Sequence, residues 1–553
     1  MKKVLYILFA IFLLSACSED TSEYKQRRDE LAEANADEKK KIEEARRKNE
    51  EKKRQLEQLK QRLEELERMK SDIVPNPQLL TMEFRKADNS GLSENVVCDV
   101  YSSTGVVNCW LASLDDPKTL VPRFTIEGTL VAMDTKEVTS GSTAIDFSEP
   151  VTLTVMTSKG SKDYTVYVYS YTGLPVMSID TENGQSISSK TIYVNAHMKL
   201  TEDVKTRGAG EVVEADLQIK GRGNSTWWRT DWPKKPYRLK FNEKVSLLGE
   251  HKDKSWILLA NFADKSILRN HAAFYMGTIS NLEYTSSSHF VELFLNGRYD
   301  GTYELCEKIK VSNHRVAAGD DGFLLEIDGR ASEDADSRYF YIYSLDSPVS
   351  IKEPEVEYND ANYNYIEDFM VKVDNALYGY FFTDPDRGWR AYMDIDSFVD
   401  WYLINEITHN PDARMLYSCY MYLKRGEKLK MGPLWDFDLA FGNTDYWERG
   451  PEGFWIKNAD WFDKLFEDPV FVNRVKERFD FFYDHMPDIL AEIDATGQYL
   501  KYSMAANEAR WHTLYTYTVP NVEIWGKYQN EVQSIKEWLK NRMEWLKGQY
   551  DRM

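Results

Sequence analysis

The chain has 553 residues, of which 42% are hydrophobic and 13% aromatic, with a formal net charge of -20. At about 150 residues per domain it is too long for one ordinary core, and it is apolar enough for large packed interiors, so a multidomain and mainly globular protein is expected. The acidic balance argues against nucleic acid as a partner, because gripping a phosphodiester backbone leans on clustered Lys and Arg; it also makes any anionic nucleotide depend on a cation or a local basic pocket.

The chain starts Met1-Lys2-Lys3, continues with an apolar run from Val4 to Leu14, and reaches Leu14-Ser15-Ala16-Cys17. Charged, apolar and small-residue parts in that order read as a secretory signal over 1–16, and the apolar run is too short to span a bilayer. The Leu-Ser-Ala-Cys end resembles a bacterial lipoprotein box, which implies lipidation of Cys17 and attachment to a membrane through that anchor. Ser18 points away from inner-membrane retention, and Glu19 and Asp20 resemble the acidic surface-export tags of Bacteroidetes lipoproteins, so an exported outer-membrane lipoprotein at the cell surface is expected. Exported cysteines can oxidise, and of the three pairings open to Cys98, Cys109, Cys306 and Cys419 the first two are favoured.

Residues 17–74 read as a helical stalk, since Thr21 to Asp72 is rich in Glu, Lys, Arg, Gln and Ala and almost free of Gly and Pro. Leu56, Leu59, Leu63 and Leu66 step by three and four, with Ile73 a heptad later, a short coiled-coil seam that suits a solvated helix or weak self-association. Fifty helical residues would hold the body about 75 Å from its anchor. Residues 75–173 change to alternating runs such as Val151-Thr152-Leu153-Thr154-Val155 and Tyr164-Thr165-Val166-Tyr167-Val168-Tyr169, the pattern of a β-sandwich. This part resembles the Ig-like spacers of bacterial surface lipoproteins, particularly over Gly141 to Ser148.

Residues 174–553 form one large α+β domain by pattern. Ile192-Tyr193-Val194 and Ala215 to Ile219 read as strands, followed by the polar turn Gly221-Arg222-Gly223-Asn224-Ser225-Thr226 and by a strand from Lys234 to Phe241. Asp264 suits the N-cap of a helix whose Leu268, Ala272, Tyr275 and Ile279 share a face. Phe290 to Leu295, Asn296-Gly297 and Arg298 to Ile309 spell a tight hairpin, and Gly322 to Ile327 another strand. The remainder is mainly helical, closing with a stripe of Val532, Ile535, Leu539, Met543, Leu546 and Tyr550.

The stretch from Lys430 to Asn443 concentrates chemistry. If it is a strand, Asp436 and Asp438 project to one side and repel each other, which a divalent metal, an arginine or a shared proton would relieve. A hard oxygen pair suits Mg²⁺ holding phosphate oxygens. A glycine turn, a strand lysine, and later acids for metal and for a hydroxyl proton are together the parts of a phosphoryl-transfer site.

Several blocks in order, Gly221 to Trp227, Lys235 to Lys240, Trp256 to Ser266 through Arg269-Asn270, Glu307-Lys308-Ile309 and Trp435-Asp436-Phe437-Asp438, resemble the spore-coat protein H (CotH) kinase family over roughly 174–443. The resemblance implies an atypical protein-kinase-like fold that binds ATP and Mg²⁺ and phosphorylates Ser or Thr of a protein substrate. By the same resemblance Asp412, in Asn410-Pro411-Asp412, is the catalytic base or hydroxyl-orienting group; Asp436 and Asp438 are the metal ligands; Gly221, Arg222, Gly223 and Lys240 contact the nucleotide. Thr226 stands where a phosphate loop has its third glycine, Asp436-Phe437-Asp438 replaces Asp-Phe-Gly, and Tyr417 then Ser418 follow Asp412 where a second metal-binding asparagine is usual. These departures put a second metal in doubt.

The rival reading is a non-catalytic glycan- or partner-binding surface lipoprotein using Trp227, Trp228 and Trp232. Glycosidic chemistry needs carboxylates on opposite sides of a bond, which two same-side aspartates do not supply. The eight histidines form no His-Glu-x-x-His or close Cys-His set for zinc, and no nucleophile elbow occurs.

Overall fold

The computed structural model describes residues 21–68, 76–92, 95–112, 117–201, 212–445, 448–521 and 523–553. The signal segment 1–16, Cys17 and Ile73 lie outside them. The chain divides into two compact units, one of residues 1–111 with 115–169 and one of 112–114 with 170–553.

The first unit opens with helix α1 (Thr21–Arg68), which exists because nothing in that stretch breaks a helix. Its leucine seam is not left for another helix. Leu59 and Leu63 are buried against Leu130 and Ala132 of the strands that follow, with Leu66 packed beside them, while Leu56 stays 40% exposed. Thr135 also donates to Gln55 at 2.8 Å. Helix end and strands therefore pack as one unit, the apolar stripe of the helix covered at Leu59 and Leu63 by the adjoining strands.

Those strands are β1 (Gln78–Phe84), β2 (Val96–Tyr101), β3 (Val106–Ala112), β4 (Pro122–Glu127), β5 (Leu130–Met133), β6 (Lys136–Val138), β7 (Val151–Thr157) and β8 (Gly160–Tyr171). Hydrogen bonding joins them in one eight-stranded series, β4-β1-β2-β3-β8-β7-β5-β6. Leu79 and Met82 from β1 share one core with Val131 and Val138 from β5 and β6, so the series folds back over its own apolar face. Cys98 and Cys109 are disulfide-bonded across β2 and β3, whereas Cys306 and Cys419 are free and buried in the second unit.

The second unit is built on a closed barrel of β9 (Val176–Thr181), β10 (Val194–Thr201), β11 (Val212–Gly221), β12 (Tyr237–Val245), β13 (Asp253–Leu259), β14 (Ser288–Leu295) and β15 (Arg298–Glu307), in the order β10-β11-β12-β13-β15-β14-β9. Closure was not legible in the sequence. Strand β10 starts at Val194, with Ile192 exposed before it. The β14–β15 hairpin turns through Asn296 and Gly297, both at positive φ (50° and 72°), as the Asn-Gly pair requires. A five-stranded sheet follows from β16 (Phe323–Ile327), β17 (Arg338–Phe340), β18 (Val349–Glu353), β19 (Cys419–Leu423) and β20 (Lys430–Met431), ordered β17-β18-β16-β19-β20.

Helices complete the unit: α2 (Ser225–Trp228), α3 (Arg269–Thr278), α4 (Ala361–Tyr378), α5 (Ile395–Thr408), α6 (Asp460–Leu465), α7 (Pro469–Asp484), α8 (Met486–Tyr499), α9 (Lys501–Trp511) and α10 (Tyr528–Tyr550). All six stripe residues of α10 are buried. Helix α5 is buried from Ser397 to Thr408 and forms the centre of the largest core. No helix among the described residues is long and apolar enough to cross a membrane.

Candidate active site

Helix α5 delivers the first acid. Asp394 caps its start by accepting from Ser397 N at 2.9 Å, and His409 ends it in the left-handed conformation (φ 49°), so the chain leaves through Asn410-Pro411-Asp412. The last turn cannot drift. Arg542, fully buried, donates to Glu406 Oε1 at 2.6 Å and to its carbonyl at 2.9 Å, and the same carboxylate accepts from Trp455 N and Lys457 N.

The second acidic segment is not a strand, contrary to expectation. β20 stops at Met431 and the chain from Gly432 to Phe437 is irregular, entering a turn at Asp438. Asp436 sits at φ +67°, a left-handed conformation that aspartate tolerates better than most residues and that no strand contains. The cause is lateral anchoring: Phe437 N donates to Asn270 Oδ1 at 2.7 Å, Arg269 Nε to Ala440 O at 3.1 Å, and Phe441 N to Thr408 O at 2.7 Å. Neighbouring Ser418 (φ 53°), Met415 (φ 56°) and Phe441 (φ 53°) share this rare backbone state. Strain gathered at one place is the habit of functional sites.

Asp264 is likewise not the cap of α3, which begins at Arg269. Its buried carboxylate organises the preceding turn, accepting from Ser266 N at 3.0 Å and Arg269 N at 2.9 Å and pairing with the Arg269 guanidinium.

Asp412, Asp436 and Asp438 converge from these two loops, each half-buried. Burial, with the charge of Asp436 added and Arg330 opposing, pushes Asp412 up to about 7. Burial and then the charges of Asp436, Asp412 and Asp264 hold Asp438 well above the usual carboxylate range. Among the described residues no Lys, Arg or His lies within ion-pair distance of the three. Ser418 Oγ donates to Asp436 Oδ2 at 3.4 Å, and Asn410 Nδ2 reaches the Asp436 carbonyl at 3.3 Å while its Oδ1 accepts from Asp412 N at 3.3 Å. Asn410 thus ties the two loops together.

Behind them runs a chain of polar contacts. Asn270 Nδ2 donates to Asn261 Oδ1 at 3.3 Å, Asn261 Nδ2 to Glu304 Oε2 at 2.6 Å, and Ser288 Oγ to Glu304 Oε1 at 2.7 Å.

The glycine turn reaches Trp435, the residue before Asp436, through Arg222, whose guanidinium lies 5.5 Å from the ring centre and whose charge, like that of Asp436, is felt at Tyr420. The turn needs its glycines: a Cβ on Gly221 would meet the Trp227 ring at 2.2 Å, and Gly223 sits at φ +84°. Registers place Lys220 beside Arg238, Arg238 beside Ile257 and Ile257 beside Cys306 on one outer barrel face, with Lys308 just beyond. Lys220, Arg222, Arg238 and Lys308 are half-buried, and no carboxylate among the described residues lies within ion-pair distance of them. Burial, then Arg238, lowers Lys308 to about 8 and lowers Lys220 as well. Lys240, the expected phosphate lysine, is exposed at the rim of this row, 5.8 Å from the Tyr193 ring.

A family model described as CotH kinase protein matches residues 219–546. The chain belongs to that family. A second model, described as SGBP, N-terminal, matches residues 89–168. No curated protein matches this CotH-family chain. Two of the solved structures that it matches share little with it. A DUF4623 family protein from Bacteroides eggerthii has 10% identity over 34% of this chain and 58% of its own length, with a TM-score of 0.14. A putative glycoside hydrolase from Bacteroides thetaiotaomicron has 15% identity over 53% and 86%, with a TM-score of 0.16.

Among the described residues of this CotH-family chain, no three His, Cys, Asp or Glu side chains are arranged to hold a metal alone. That does not conflict with Mg²⁺, which takes one or two carboxylates and completes its shell with water and phosphate. Asp436 and Asp438, crowded, half-buried and without an ion-pair partner among the described residues, have the donor chemistry for that role. A bound Mg²⁺ would neutralise phosphate oxygens there. Sequence reading gave no site role to Lys220, Arg238, Lys308, Arg330 or Asn270, although Arg238, Lys308 and Asn270 stand in the blocks that carry the family resemblance. Alternation on β12 puts Arg238 and Lys240 on one face, but which of them is deep depends on what packs over the barrel.

Proposed function

We propose that the domain over 174–553 transfers a phosphoryl group from Mg-ATP to a Ser or Thr hydroxyl of an exported protein. The observation that carries this is that Asp412, Asp436 and Asp438 have no ion-pair partner among the described residues, while Arg222, from a half-buried row of cations likewise without carboxylate partners there, lies over Trp435 next to Asp436 in a chain of net charge -20. Each half is costly alone, and a magnesium-bound polyphosphate would satisfy both. Asp412, whose carboxyl burial pushes up to about 7, suits a group that receives or orients the hydroxyl proton. Asp436 and Asp438 would hold the metal, and Arg222, Arg238 and Lys308 would offset phosphate charge, with Lys240 exposed at the rim of their row.

Calorimetry of the purified protein with Mg-ATP tests this reading. Asp436→Ala should lose magnesium-dependent nucleotide binding, and Asp412→Ala should bind but transfer nothing. ATP turnover unchanged in both variants would refute the roles.

Lipid anchoring through Cys17 at the outer membrane belongs to the same proposal. The Cys98–Cys109 disulfide supports export, since such bonds persist in oxidising compartments. The match of residues 89–168 to the SGBP N-terminal model favours a second role, glycan or partner binding by the first unit.

A further inference from the structure

A cavity of about 240 Å³ opens on the second unit at β14, α3 and α8, separate from the carboxylates, and takes in His271, Ser288, His289, Phe290, Thr496 and Tyr499. That is room for about eight water molecules at ~30 Å³ each.

Its polar groups are fixed from behind. His271 Nδ1 is 2.9 Å from Ser288 Oγ and its Nε2 3.0 Å from Glu492 Oε1, which also accepts from Thr496 Oγ1 at 3.0 Å. His289 Nε2 lies 2.8 Å from Glu250 Oε1. Ser288 is held in turn by the buried Glu304. The hydrogen bond from each histidine keeps Glu492 and Glu250 below the usual range, so both remain ionised and each is already partnered.

The wall therefore offers hydroxyl and imidazole groups, and the carboxylates behind it are already hydrogen-bonded, so no group is left free to ligate an ion. Phe290, buried with its ring 5.5 Å from that of His271, and Tyr499, 47% exposed at the end of α8, complete the lining. Fixed hydrogen-bonding groups together with the exposed aromatic ring of Tyr499 match a ligand with a rim of hydroxyls around an apolar ring.

We infer that this cavity is a binding site for a neutral monosaccharide or the terminal sugar of a glycan. The site does not depend on the phosphoryl-transfer reading, and its test uses no nucleotide.

Saturation-transfer NMR of the full chain with D-glucose, D-galactose, D-mannose and N-acetyl-D-glucosamine, each without Mg-ATP, reads occupancy directly. At least one sugar should show transfer, and its affinity should fall about tenfold in both Tyr499→Ala and His289→Ala, with partial recovery in His289→Gln. Tyr499 is surface-exposed, so that variant keeps the fold even if a histidine change disturbs it. Absence of transfer to every sugar, or transfer undiminished in Tyr499→Ala and His289→Ala, overturns the assignment.

Discussion

Asp412 keeps its proton about three pH units higher than an aspartate in water, from 3.8 to about 7. The folded state therefore binds more protons than the unfolded one between those values, and this residue's contribution to stability falls as pH rises through the interval. Asp412→Asn should remove that loss. The variant should be more stable than the parent at pH 7, by at most ~4 kcal/mol at 1.36 kcal/mol per unit, with the gain shrinking toward pH 4. Denaturant melts at both pH values check this; an equal or lower midpoint at pH 7 would mean that the carboxylate is not held unfavourably. Lysine depth gives a second contrast. Lys308→Met should weaken Mg-ATP binding about tenfold, and Lys240→Met less than twofold, since a half-buried charge facing phosphate is worth more than an exposed one. The sequence displayed Asp412, Asp436 and Asp438 as residue types, but not the loop conformation that joins them. That conformation depends on Asn270 and Arg269, over 150 positions away, and no local pattern announces it.

At the scale of elements, legibility followed locality. The Asn296-Gly297 hairpin, the alternating strands β7 and β8 and the α10 stripe are set by neighbours in the chain, and each stands where its pattern put it. Barrel closure depends on β9 pairing with both β10 and β14, the latter in parallel, which alternation does not encode. The leucines of α1 show the same limit: their spacing defines an apolar stripe without saying what covers it. Since Leu59 and Leu63 are buried on the first unit's strands, replacing both with Ala should release the end of the helix. Each truncation costs roughly 2 kcal/mol or more, and hydrogen exchange over residues 55–66 should lose protection while the barrel keeps its own. Unchanged protection would place the helix's support elsewhere.

For the whole molecule, the row of Lys220, Arg222, Arg238 and Lys308 is a small positive island in a body of net charge -20. The two act over different distances. At low ionic strength the global field reaches tens of ångströms and turns a polyanion away, whereas at 0.1 M it fades beyond about 10 Å and the island, sheltered by its own burial, persists. Added salt should thus speed the arrival of nucleotide severalfold while leaving its departure nearly unchanged, the reverse of what a basic surface shows. Stopped-flow association between about 0.02 and 0.2 M salt measures it, and a rate that falls over that range would mean the island governs even the distant approach. On the rising branch, the ionic strength of the surroundings becomes a throttle on capture, set by the many surface acids that never touch the ligand.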